Sequence, residues 1–253
     1  MPPIRKGDGT PVTAKGISQI RTGDGRILFD GVAIPDSVVD NFEDEDADPP
    51  GIYNGLSLSD VYSGDLASFS RISGGITGNT VLANEADAGD LIHSQPDDGL
   101  NRYPEPGDTV EFIINNDPYD DGSNCEPSVC FMIEDDANPS GYVFHFLPDT
   151  DRISISSTDD INSLSSSSAD DIAIDSTLTE LSSAEPFWFK AKLPSPEDDE
   201  ISFEVFEDDD GEQGDSIGKI SANNDDHVDQ AGTGHHSTSD GGLAHVDIVR
   251  IDE

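Results

Sequence analysis

The sequence predicts an all-β protein: an antiparallel β-sandwich of the jelly-roll kind, preceded by a short N-terminal arm rich in β-hairpin signals. Three observations predict it. Short apolar runs containing aromatic and β-branched residues recur along most of the chain. Clusters of Gly, Pro, Asn and Asp separate them, and no long stretch shows the 3.6-residue period of an amphipathic helix. Many short strands joined by polar, glycine-rich connections are the pattern of two packed sheets.

The arm opens the chain. Ile4-Arg5-Lys6-Gly7-Asp8-Gly9-Thr10 returns as Ile20-Arg21-Thr22-Gly23-Asp24-Gly25-Arg26, and each Gly-Asp-Gly between brief apolar flanks reads as a hairpin or bend. Residues 1–28 hold five basic side chains (Arg5, Lys6, Lys15, Arg21 and Arg26) against two acidic ones (Asp8 and Asp24), a balance of 5 − 2 = +3. An arm of opposite sign to its body reads as a docking element that meets an acidic partner or other copies of the chain; the other reading folds it back on its own domain. A linker closes the arm, so the boundaries are 1–37 for the arm and 38–253 for the sandwich.

Strands are expected at 38–42, 68–72, 81–84, 109–114, 129–133, 142–147, 152–156, 187–193, 201–206, 217–221 and 244–251. About 215 residues is ordinary for one sandwich. Phe187-Trp188-Phe189 marks a central strand, where consecutive aromatics point to both faces. The Ser- and Asp-rich stretch 154–183 reads as a long solvated excursion with one short strand near 172–174. Tyr53, Tyr62, Tyr103 and Tyr119 fall in loop-like contexts as exposed rings able to stack on a sugar, and Glu111 reads as a lone solvent-face carboxylate.

Charge sets the habitat. The chain carries 54 Asp and Glu against 12 Lys and Arg, a formal charge of -42 on 253 residues. Spread over a sphere of roughly 23 Å radius, that charge repels itself by on the order of 50 kcal/mol at about 0.1 M salt. At several molar salt the repulsion falls to roughly 10 kcal/mol, so the composition fits brine. Low hydrophobicity with high charge is also the signature of disorder, but patterned apolar runs oppose that reading. So acidic a body excludes nucleic-acid binding, since phosphates would be repelled. No apolar run approaches 18 residues, so membrane insertion by a helix is not expected. The first thirty residues lack the apolar centre of a secretory signal, which implies a removed signal or release by another route.

Cys125 and Cys130 have four residues between them, Pro127 included. They read either as a small surface disulfide or as two unpaired thiols. His227, His235, His236 and His245 occupy a Gly-rich region that reads as flexible, and they look incidental rather than zinc-binding.

Several segments carry a family resemblance. Val39-Asp40-Asn41-Phe42-Glu43-Asp44, Tyr62-Ser63-Gly64-Asp65 with Ser68-Phe69, Pro186-Phe187-Trp188-Phe189-Lys190-Ala191-Lys192 and Ala244-His245-Val246-Asp247-Ile248-Val249-Arg250-Ile251 resemble, in order, landmark strands of concanavalin A-like, laminin G-like domains. The resemblance implies a structural calcium between first and last strands, which nominates Asp40, Glu43 and Asp247; the other reading makes these solvated carboxylates. No EF-hand loop supports calcium independently. The opening repeat also resembles the beginnings of structural proteins in tailed viruses of haloarchaea.

No strand carries the alternating carboxylates of a glycosidase and no Gly-x-Ser-x-Gly elbow occurs, so a non-catalytic role is expected. The sequence favours a surface protein of a haloarchaeal virion, either a capsid decoration or turret or a tail-fibre or baseplate module. Its expected partners are other virion proteins, copies of itself in a symmetric homo-oligomer, and a host surface glycan or S-layer glycoprotein. The competing reading is a secreted or cell-surface carbohydrate-binding module of a halophile.

Overall fold

A computed structural model describes residues 20–21, 27–29, 37–43, 53, 56–74, 80–84, 89–96, 98, 100, 102–116, 127–134, 138–147, 150–164, 170–178, 181, 186–237 and 244–252. Strands β1 (Ile20–Arg21) and β2 (Ile27–Phe29) form a separate antiparallel hairpin around the second Gly-Asp-Gly, with Ile20 opposite Phe29 and Arg21 opposite Ile27. The first copy of the repeat lies outside the described residues.

Fifteen strands follow: β3 (Val38–Asp40), β4 (Ser63–Gly64), β5 (Phe69–Ser73), β6 (Thr80–Asn84), β7 (Leu91–Ser94), β8 (Thr109–Asn116), β9 (Pro127–Ile133), β10 (Gly141–Leu147), β11 (Arg152–Thr158), β12 (Asp171–Asp175), β13 (Pro186–Lys192), β14 (Glu200–Asp209), β15 (Glu212–Asn223), β16 (Gly232–Ser237) and β17 (Ala244–Ile251). They form two antiparallel sheets. One runs β12-β11-β10-β9-β16-β7-β4; the other runs β15-β14-β13-β8-β17-β6-β5, with β3 also paired to β17. This is the jelly-roll sandwich of concanavalin A-like type that the sequence predicts. No helix among the described residues is long and apolar enough to cross a membrane.

Alternation builds the interior. Phe112, Phe131, Phe144, Phe146, Phe187, Phe189 and Phe203 all enter one core between the sheets. Phe112, Phe189 and Phe203 stack across adjacent strands, with centroids 5.3 to 6.0 Å apart. Strand period two then turns the intervening residues outward. Trp188, between two core phenylalanines, joins Val38, Ile113 and Phe206 in a second apolar group on the outer face of the eight-stranded sheet.

Beside that group lies a ladder of alternating charge. Cross-strand register aligns Lys219, Glu204, Lys190, Glu111 and Arg250 over five neighbouring strands. Ion pairs link Lys219 to Glu204 at 3.4 Å, Lys190 to Glu111 at 3.1 Å, and Arg250 to Glu111 at 2.7 Å. Glu111 is therefore a buried, twice-paired anion rather than the lone solvent-face carboxylate expected.

Two further expectations are corrected. The histidine-bearing segment read as flexible is β16, a buried strand between β7 and β9. The stretch read as a solvated excursion sends Ile161, Leu164, Leu178 and Leu181 back into the protein as buried anchors. Backbone pairing on both sides buries β16 although it has no apolar side chain, and four aliphatic residues suffice to pin an otherwise polar segment.

Candidate functional site

The outer face of the seven-stranded sheet carries an unusual set of side chains. Cross-strand register places Ile174, Ser154, His145, Ser128, His236 and Leu91 in one row spanning β12, β11, β10, β9, β16 and β7. The parallel row beside it reads Asp171, Ser156, Val143, Cys130, Gly234 and His93. A strap over this second row follows from Thr158: Ile161 and Leu164 pack with Leu91, Cys130, Ile133 and Val143. Ile161 N–H donates to Pro139 O at 2.8 Å and holds the strap down.

The first row is polar but carries no charge of its own. His145 Nδ1 lies 2.8 Å from Ser128 Oγ and its Nε2 lies 2.9 Å from Ser156 Oγ, which donates to Asp171 Oδ1 at 2.6 Å. Because Ser156 spends its hydrogen on Asp171, it accepts from His145 Nε2–H, and Nδ1 accepts from Ser128. Burial, with His236 and Arg152 nearby, pulls His145 down to about 3, so it stays neutral. Burial likewise lowers His236 to about 4. Asp171 is raised by burial, against the Ser156 bond that lowers it.

His236 is wholly buried, yet neither ring nitrogen has a hydrogen-bond partner. Arg152 Nε on β11, on the same face, also lacks one. Buried polar atoms are nearly always satisfied, so such atoms mark a place where a ligand or ordered water completes the structure. At the β12 end the row opens to solvent: Ile174 is 50% exposed, and Arg152 and Asp171 are half-buried.

The residues nominated for calcium lie elsewhere. Asp40 ends β3 and is buried; its Oδ1 accepts the Phe42 N–H at 2.8 Å, and its Oδ2 accepts Tyr53 and Tyr62 hydroxyls at 2.8 and 2.9 Å. Phe42 adopts φ 57, a left-handed conformation costly for a bulky residue, and is held there by the Asp40 bond and by Arg71 Nε–H on its carbonyl at 2.8 Å. The Arg71 guanidinium also lies 3.9 Å over the Tyr53 ring. Thr80 N–H donates to Glu43 Oε1 at 2.7 Å. Asp247 is buried in β17 at a register shift, near where that strand changes partner from β6 to β3.

Asp40 thus accepts three hydrogen bonds with Arg71 nearby, and Glu43 accepts one from the backbone. Among the described residues no group of three or more His, Cys, Asp or Glu could hold a metal. His235 and His236 project from opposite faces of β16, His235 against Phe42 and Tyr62, while His227 stands edge-on to Tyr142. Tyr53 and Tyr62, read from sequence as exposed platforms, are therefore buried hydrogen-bond donors to Asp40. Tyr103 is half-buried with its hydroxyl 2.7 Å from Ser94 Oγ, and Tyr119 lies outside the described residues.

Cys130 is a free, fully buried thiol whose pKa burial pushes up, and Cys125 lies outside the described residues. Of the basic docking residues, Arg21 falls in β1; Arg5, Lys6, Lys15 and Arg26 lie outside the described residues.

Comparison with known proteins gives likeness of backbone shape alone. The chain is similar to the carbohydrate binding module CBM66 from Bacillus subtilis, at 13% identity and TM-score 0.49 over 76% of this chain and 95% of that one. It is similar to the exoplasmic/lumenal domain of VIP36 in a Ca2+/Man3GlcNAc-bound form, at 9% and 0.47 over 76% and 82%. The Emp46p carbohydrate recognition domain follows at 10% and 0.45 over 74% and 88%. No protein-family model and no curated protein sequence matches the chain.

Proposed function

We propose that this chain is a non-catalytic β-sandwich that binds a neutral glycan outside the cell in concentrated salt. One observation carries the reading: an uncharged row of Ser and His side chains with the unpartnered Arg152 Nε at its solvent end, on a protein of net charge -42. A sugar hydroxyl both donates and accepts, which is what a neutral imidazole and a serine hydroxyl each ask of a partner. Molar salt screens charge-based recognition within a few ångströms but leaves neutral hydrogen bonds in place. The exposed Ile174, with Arg152 and Asp171 beside it, forms the open end at which a sugar ring approaches.

Calorimetric titration of the full chain in molar potassium chloride against a panel of neutral oligosaccharides tests this. Binding that is lost in Arg152→Ala, with unfolding temperature unchanged, supports it. A panel without a single millimolar or tighter ligand overturns it. A place on a virus particle, and with it a virion location, rests on the resemblance of residues 1–28 alone.

A further inference from the structure

Three buried polar atoms without a partner belong to one end of the seven-stranded sheet, where Gly141 opens β10 opposite Thr158 of β11. They are Asp160 Oδ1, His227 Nδ1 and Gln230 Oε1. Short contacts tie their three loops together. Gln230 Nε2–H donates to Ser140 Oγ at 3.2 Å and to Glu134 Oε2 at 3.5 Å, which joins the β15–β16 loop to the β9–β10 loop. Ile161 N–H donates to Pro139 O, so Asp160 borders the same turn. Gln230 N–H donates to His227 O at 3.1 Å. The Tyr142 hydroxyl accepts His227 N–H at 3.4 Å, and its ring meets the imidazole edge-on with centroids 5.0 Å apart.

The surroundings are anionic. Glu134, Asp159, Asp226 and Asp229 are exposed and all four act on the His227 ring, which is itself only 4% exposed. None of the four forms an ion pair among the described residues. Burial lowers His227 against the pull of these carboxylates, so the imidazole is neutral, and with its proton on Nε2 the unpartnered Nδ1 accepts. Asp160 Oδ1 and Gln230 Oε1 are acceptors too. Gln230 cannot turn its amide over to satisfy itself, because its oxygen would then face the Glu134 carboxylate. Three unmet acceptors and a rim of unpaired carboxylates ask for the same thing, a compact cation that donates hydrogen bonds.

We propose that Asp160, His227 and Gln230 form a binding site for a protonated primary amine. A primary ammonium group has three N–H donors, no acceptor and one positive charge, which matches the three acceptors and the rim together. A neutral hydroxyl brings one donor and leaves the carboxylates unmet. A metal ion fits less well, since among the described residues no group of three or more His, Cys, Asp or Glu could hold one. The site lies beyond the Thr158 end of β11, whereas Arg152 and Ser154 of the Ser and His row lie towards its start. Amine binding here and glycan binding there therefore stand or fall separately.

The test follows the His227 ring protons by nuclear magnetic resonance in the full chain, with the signals assigned by their loss in His227→Asn. Methylammonium chloride replaces potassium chloride at constant ionic strength in molar salt. Nα-acetyl-lysine methylamide, the form in which a partner protein would present the same group, is titrated in parallel. A saturable shift with either amine supports the site, and the tighter of the two names the source. Asp160→Asn and Gln230→Met should each weaken that response several-fold while circular dichroism shows the strands intact. Asp160, half-buried at the end of a strand, keeps the test open should Gln230→Met fail to fold. An equal shift with tetramethylammonium, which has the charge but no N–H, overturns the proposal. So does a response that never saturates, because potassium or ordered water then fills the site.

Discussion

Arg250 Nε lies 2.7 Å from Glu111 Oε2 while Lys190 Nζ lies 3.1 Å from Oε1, so a single carboxylate on β8 ties together the strands on either side of it. Glu111 is 8% exposed and its two partners 38% and 25%, so the pairs are screened in part. Glu111→Gln leaves both cations beside a neutral amide and is expected to cost on the order of 1 kcal/mol. A double-mutant cycle with Arg250→Gln, read by thermal unfolding, checks the coupling; strictly additive effects would deny the ladder any stabilising role.

Three buried histidines give the fold a marked sensitivity to acid. Burial lowers His145 and His235 to about 3 and His236 to about 4, against about 6.5 in the unfolded chain. Their contribution is complete above pH 6.5 and is lost as pH falls towards 4, where the unfolded chain binds three protons that the folded one refuses. The expected slope between roughly pH 6 and 4 is about 4 kcal/mol per pH unit from these groups. Thermal unfolding across that range checks it, and His235→Phe should remove about a third of the slope.

How much of this was legible in the sequence depends on where each residue's partners lie. The eleven expected strands all form, because alternation along a strand is a local property. β16 was missed since Gly232-Thr233-Gly234-His235-His236-Ser237 has no apolar residue; its burial comes from neighbours about 100 and 140 positions away in the chain. Tyr53 and Tyr62 turn inward for Asp40, 13 and 22 residues distant, and no local pattern announces that. The Ser and His row did leave a trace. In a chain with 26% charged residues, β9, β10 and the Ser154 to Ser156 part of β11 alternate apolar positions with Ser, Cys, Val and His and never with Asp, Glu or Lys, which is not the composition of a solvent face.

Asp40 responds to pH in the opposite sense. Burial raises it to about 6 despite the bonds from Phe42, Tyr53 and Tyr62 and the nearby Arg71. A raised carboxyl contributes stability that is complete below about 3.9 and lost as pH rises through 6. The stability of Asp40→Asn relative to the unaltered chain should therefore improve by about 3 kcal/mol between pH 4 and pH 7. Because three donors already occupy its oxygens, adding calcium to a chelated sample should leave the unfolding temperature unchanged. A calcium-dependent rise of several degrees would show that Asp40, Glu43 and Asp247 rearrange around the ion.

The charge balance predicts that stability rises with salt. Twelve cations cannot neutralise 54 carboxylates, and three of the twelve are committed to the ladder of Lys219, Lys190 and Arg250. The remaining repulsion falls from on the order of 50 kcal/mol at about 0.1 M salt to roughly 10 kcal/mol at several molar, whereas a folded domain has only about 5 to 15 kcal/mol in hand. The unfolded chain repels itself too, which softens the difference without cancelling it, because its charges lie farther apart. Unfolding temperature should therefore climb steadily from 0.5 to 4 M potassium chloride, and small-angle scattering in dilute buffer should show an expanded chain. A compact, cooperatively melting protein at about 0.01 M salt would mean that the carboxylates are locally compensated in a way the ladder alone does not provide.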